Sequence, residues 1–87
     1  MTTYDDENLN KQSVTRDEVD DVLANEPIDE DIEPSERGNW RVVFVGFTFK
    51  GRLLEIGVEY FPNEREHVFH AMDARKIYRT LFEKRKH

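Results

Sequence analysis

The sequence predicts a small α+β domain: a short antiparallel β-sheet of three to four strands packed against an acidic N-terminal helix and a basic C-terminal helix. Three observations carry this. WRVVFVGFTF and RLLEIGVEYF alternate with a period of two and are joined at Lys50-Gly51, the pattern of an antiparallel hairpin. VTRDEVDDVLANEP opens like a capped helix. Ala74, Ile77, Tyr78, Leu81 and Phe82 recur at helical spacing. At 87 residues the chain suits one domain, 1–87, with a single modest core.

The opening YDDENLNKQSV, residues 4–14, is polar and reads as irregular, with a short helical turn about Glu7 to Lys11; residues 1–14 are expected to be partly ordered. Thr15 then serves as N-cap with Glu18 three residues on, and Val14 and Val19 supply the hydrophobic staple. Val19, Val22 and Leu23 make the apolar stripe, while Asn25 and Pro27 end the helix. Ile28 to Ile32 reads either as an acidic edge strand or as a loop, closed by Pro34 and Gly38.

In the second hairpin strand Leu54, Ile56, Val58 and Tyr60 share one face, and Leu53, Glu55, Gly57, Glu59 and Phe61 the other. Pro62 and Asn63 turn the chain into a third strand, Glu66 to Ala71, with Val68 and His70 on one face and His67, Phe69 and Ala71 on the other. The last helix is expected from about Asp73, its N-cap, to Lys84, with its apolar stripe buried on the sheet and residues 84–87 frayed. The helices are expected to cover one side of the sheet.

The net charge of −6 divides unevenly. Residues 1–36 hold thirteen acids and two bases, a net of −11, whereas residues 37–87 hold eleven bases and six acids, a net of +5. The second part can therefore present a basic surface to phosphate while the first suits a basic protein partner. The absence of cysteine excludes disulfides, thiolate metal sites and a cysteine nucleophile, and fits a cytoplasmic location. The amino end has no basic leader, and no apolar run approaches the roughly 20 residues of a membrane span, so neither export nor a membrane partner is expected.

No GxGxxG, Walker, HExxH, EF-hand or GxSxG motif occurs, and Ser13 and Ser35 lie in polar loops without an acid and histidine signature. His67 and His70, three apart on a strand, should point to opposite faces, and His87 is terminal, so no metal or cofactor is expected. The remaining chemically capable set is histidine, arginine and lysine. Metal-free cleavage of RNA needs a base near the 2′-hydroxyl, cationic donors over the developing phosphorane and an acid at the leaving oxygen, all of which imidazole and guanidinium can supply. His70 stands at a strand end close to Arg75, with Arg79 one turn on. The plainer reading makes His70 a hydrogen-bonded junction residue and the arginines solvated helix surface.

From YDDENLNKQSVTRDEVDDVLANEP through GNWRVVFVGFTFKGRLLEIGVEY to HVFHAMDARKIYRTLF, the chain resembles the BrnT family of toxins from bacterial toxin-antitoxin modules. Tyr4 and Asp5 match the family's opening aromatic-Asp pair, Lys11 its basic residue before a His-Gly-Val turn, Gly51 to Leu54 its G-R-L-L hairpin, and His70 with Ala71 its strand-end pair. Gln12, Ser13 and Met72 depart from the family's histidine, glycine and arginine, and the first helix is about a turn short. The resemblance implies a RelE-like fold and a type II toxin: a ribonuclease that arrests translation and is neutralised by a cognate DNA-binding antitoxin. On it His70 serves as acid or base, with Lys11 and Arg52 as RNA-phosphate contacts; the chemistry of the remaining residues adds Arg75, standing in one helical turn on for the arginine that Met72 replaces, and Arg79 as transition-state clamps, Lys76 as a further phosphate contact, and Tyr78 and His67 as secondary. Asp17, Asp20, Asp21, Glu30 and Asp31 are the expected antitoxin interface. The alternative is a non-catalytic protein-interaction module on the same fold.

Overall fold

The computed structural model describes residues 1–86 of the chain. Its elements run β1 Thr2–Tyr4, α1 Asp6–Lys11, α2 Arg16–Ala24, β2 Ile28–Ile32, β3 Arg41–Phe47, β4 Leu53–Phe61, β5 Arg65–Asp73 and α3 Lys76–Lys86. The α+β class holds, with one addition: the sheet has five strands in the order β1-β5-β4-β3-β2. β2, β3, β4 and β5 pair antiparallel, whereas β1 lies parallel to β5, so the sheet is mixed. Three residues of β1 are too few to show periodicity, and their order comes from long-range pairing such as Thr3 with His67.

The start of α2 follows its sequence signal. Thr15 Oγ1 accepts from Glu18 N, and Glu18 Oε1 accepts from Thr15 N, satisfying two helix-end donors reciprocally. Asp5 caps α1 through a single bond, its carboxylate accepting from Asn8 N. The hairpin turn places Gly51 at φ +91°, a conformation that glycine adopts without strain.

The helices cover both faces of the sheet rather than one. On the first face, Leu9 of α1, Val14, and Val19 and Val22 of α2 pack against Leu54, Ile56, Val58, Val68 and Ala71. On the second, Tyr78, Leu81 and Phe82 of α3 lie over Ile28, Val43, Val45 and Ala74. α3 is displaced toward the β2 edge, and none of its side chains is fully buried. Ile77, expected in the core, is 72% exposed. The helix begins at Lys76 because Asp73 still belongs to β5, where it accepts from Arg52 instead of capping the helix. Of the expected frayed end, Lys84 to Lys86 continue α3, and His87 lies outside the described residues.

A β-bulge in β5 overturns the expected facing of its side chains. Gly57 pairs with His70 but Val58 pairs with Val68, which leaves Phe69 as the extra residue. Directly opposed residues share a face, so Val68 and Ala71 enter the first core while His67 and His70 both reach the second face. Phe69 lies against Gly57, where an added Cβ would stand 2.7 Å from its ring.

Candidate functional site

The period-two alternation of β4 puts Glu55 on the second face, beside the start of α3. Its side chain is fully buried, and burial of a carboxylate is costly unless the charge is paired and hydrogen-bonded. Both conditions are met. Arg75 donates to it from the backbone N (2.8 Å), Nε (3.0 Å) and Nη2 (2.7 Å), and His70 Nε2 lies 3.0 Å from Oε2. Burial by itself pushes the carboxyl up, but the hydrogen bonds from His70 and Arg75 outweigh it and hold Glu55 at about 2. An ionised carboxylate only accepts, so His70 donates to it from Nε2, and Nδ1 has no protein hydrogen-bond partner among the described residues. Nη1 of Arg75 has no protein hydrogen-bond partner among the described residues, and the side chain is 59% exposed.

The structure thus brings His70 and Arg75 together through a residue that the sequence analysis did not single out. Arg79 stands one turn further on, exposed, with its backbone N donating to the Arg75 carbonyl. Tyr78 is half-buried, its ring 5.8 Å from the Arg75 guanidinium. Lys76 faces away from this cluster into the trough between α3 and β2. Lys11 ends α1, which packs on the opposite face. Arg52 is committed to structure: it donates to Asp73, to Glu18 and to the carbonyls of Gln12 and Ser13, tying the hairpin to the α1–α2 turn. His67 is on the same face as His70 but is held by Thr3 Oγ1 at 2.7 Å.

Two strand positions beyond Gly57, Glu59 repeats the arrangement of Glu55. It is 4% exposed and accepts from Arg37 Nη2 (3.0 Å) and Asn39 Nδ2 (2.9 Å), which anchors the β2–β3 loop over the sheet. Burial again pushes its carboxyl up, and the Arg37 and Asn39 bonds bring it down to about 2. Arg41 lies 5.4 Å from the Phe69 ring centroid, and Arg37 and Arg65 lie 5.2 and 4.3 Å from that of Phe61. Acids at alternate positions of an otherwise apolar strand were the available signal for Glu55 and Glu59. Nothing local pointed to Arg37, Arg41 or Phe69.

The acids expected to form an interface are partly occupied. Asp20 accepts from the Tyr4 hydroxyl (2.6 Å), Asp31 from Trp40 Nε1 (3.0 Å), Asp21 from Phe49 N, and Glu30 pairs with Arg85; Asp17 is exposed on α2. Among the described residues no three carboxylates or histidines converge to hold a metal ion, and no helix is long and apolar enough to cross a membrane. No family model matches the chain, and comparison with curated proteins finds no match.

Proposed function

We propose that the protein is a metal-independent endoribonuclease of the type II toxin kind, resembling the BrnT family, which acts in the cytoplasm and is neutralised by a basic antitoxin. The observation that carries this reading is the anchoring of His70 and Arg75 on one buried carboxylate, Glu55. Nδ1 of His70 takes the proton of a 2′-hydroxyl as O2′ bonds to phosphorus. Arg75 Nη1 donates to the equatorial oxygens as negative charge grows there. The P–O5′ bond breaks, the 5′-oxygen takes a proton from solvent, and the products are a 2′,3′-cyclic phosphate and a 5′-hydroxyl.

Two local features support the resemblance. Ser13 adopts φ +55°, the left-handed region that favours glycine, and glycine is the residue the family pattern has at that place. Arg52 of the G-R-L-L signature donates to the carbonyls of Gln12 and Ser13, so the two motif segments meet in space. The exposed Asp17, Asp20 and Asp31, with the half-buried Asp21 and Glu30, are acids that would suit an antitoxin rich in lysine and arginine, in exchange for the internal partners that four of them hold.

The second reading, a non-catalytic interaction module, is favoured by the trough between α3 and β2. That cavity of about 820 Å³ includes Ile32, Leu81 and the exposed Ile77. Incubation of the purified chain, free of any partner, with RNA in EDTA decides between them. Cleavage that falls at least about tenfold in kcat/KM in both His70→Ala and Arg75→Ala upholds the ribonuclease. An inert parent, or variants that cut as fast as the parent, leaves the interaction module.

A further inference from the structure

β2 is one of the two outer strands, and the register shows which of its backbone groups lack a ladder partner. Tyr60 N donates to the Trp40 carbonyl, so Trp40, Val42 and Phe44 bond toward β4 and the intervening Arg41, Val43 and Val45 bond toward β2. Ile32, Glu30 and Ile28 lie opposite those three, which turns the N–H and C=O of Asp29 and Asp31 outward. Arg85 takes the Asp29 carbonyl at 2.6 Å, whereas among the described residues no side chain or loop takes either group of Asp31.

The side chains of β2 divide by face. Asp29 and Asp31, opposite Phe44 and Val42, lie on the first face, while Glu30 and Ile32 lie on the second beside α3. There the trough of about 820 Å³ runs between Glu30 and Ile32 on the strand and Ile77 and Leu81 on the helix, with Lys76 and Lys84 on the helix side. Charges on an edge strand commonly guard it against pairing with another chain. That guard accounts for the acids, but not for an apolar helix stripe that leaves Ile77 72% exposed beside the open edge.

We infer that the β2 edge takes an extended segment of a basic partner protein, added antiparallel as a sixth strand, in which lysine or arginine alternates with aliphatic residues. Directly opposed residues share a face. The partner's cations, set opposite Asp29 and Asp31, therefore fall on the first face, away from Lys76 and Lys84. Its aliphatic residues fall on the second face and fill the trough against Ile32, Ile77 and Leu81. The residue opposite Asp31 exchanges both ladder bonds with it, and at Asp29 the segment displaces Arg85. A second copy of this chain does not suit the edge, because β2 paired antiparallel with itself sets acids directly across from one another. The inference rests on the basic partner of the proposed reading and gives it a binding mode, yet it needs no ribonuclease.

The test is fluorescence anisotropy of a labelled peptide of about eight residues, lysine alternating with valine, titrated with the full chain. A peptide of the same composition with its lysines grouped should bind at least about tenfold more weakly, since it cannot put charge on one face and valine on the other. N-methylation of the lysines, whose amides face Asp31, should weaken binding by a similar factor, and N-methylation of the valines should leave it intact. Ile77→Glu, at an exposed position, should weaken binding about tenfold by setting a charge in the trough. Asp31→Lys should weaken it too, while Glu7→Lys, the same charge change on α1 over β5, should have little effect. Should Asp31→Lys fail to fold, Ile77→Glu and the methylated peptides carry the test. The inference is overturned by a parent that does not bind the alternating peptide, by equal affinity for the grouped one, or by equal effects of the two methylations. It is also overturned by folded Ile77→Glu that binds like the parent, by a loss in Glu7→Lys as large as in Asp31→Lys, or by a parent dimer that Ile77→Glu separates. Peptide binding by a chain that leaves RNA intact removes the ribonuclease and keeps the edge site; RNA cleavage without peptide binding does the reverse.

Discussion

Arg75 holds Glu55 from both backbone and side chain: its amide N lies 2.8 Å from Oε1 and its Nη2 2.7 Å from Oε2. The same residue that the proposed chemistry uses therefore also neutralises a fully buried charge. Arg75→Ala should cost about 1–3 kcal/mol, since the lost bonds leave Glu55 with His70 and one backbone donor. Urea denaturation measures this. A loss below about 0.5 kcal/mol would mean that His70 and the amide suffice. Activity of Arg75→Ala must be read at a temperature where the variant is folded.

Glu55 and Glu59 both sit at about 2 in the folded chain, depressed from 4.5. A depressed carboxyl contributes stability that is present above its unfolded value, near 4.5, and is lost as pH falls through the folded one. Thermal melts followed by circular dichroism should therefore show a steady fall in Tm from about pH 4.5 toward pH 2. In Glu55→Gln with Glu59→Gln that slope should flatten. An identical slope in parent and double variant would assign the acid sensitivity to other carboxylates.

Leu54 is fully buried and Ile77 is 72% exposed. Leu54→Ala should cost about 2–5 kcal/mol through the lost burial and the cavity left behind. Ile77→Ala should stay within about 0.5 kcal/mol. Equal losses in the two would show that α3 packs more tightly in solution than its exposed stripe indicates.

Gly57→Ala would push a Cβ to 2.7 Å from the Phe69 ring. The ring must lift, at a cost of about 1–3 kcal/mol. In a double-mutant cycle with Phe69→Ala most of that cost should vanish, because the neighbour that resists the methyl group is gone. Additive losses would place the strain in the backbone of β4 instead.

The candidate site was legible only in parts. His70 and Arg75 could be chosen because imidazole and guanidinium near a strand-to-helix junction can do acid-base and phosphate chemistry. Glu55 and Glu59 were visible as acids in an apolar strand, but alternation alone does not say which face is dry at which position. Lys11, Arg52 and Lys76 were selected for charge. Their distribution over the opposite face, the hairpin buttress and the α3 trough depends on packing that charge does not encode.

Local pattern determined the class, the capped α2, the β3–β4 hairpin with its Gly51 turn and the amphipathic α3, because each is set by residues within a few positions of one another. Tertiary structure decided what local pattern does not carry. β1 pairs across some sixty positions, α3 takes the face opposite α1 and α2, and Phe69 inserts one residue against β4. That last step matters most for the site. A strand alternates with a period of two, so one extra residue reverses every side chain beyond it. The bulge turns His70 onto the face of Glu55, where alternation counted from His67 would have sent it into the opposite core.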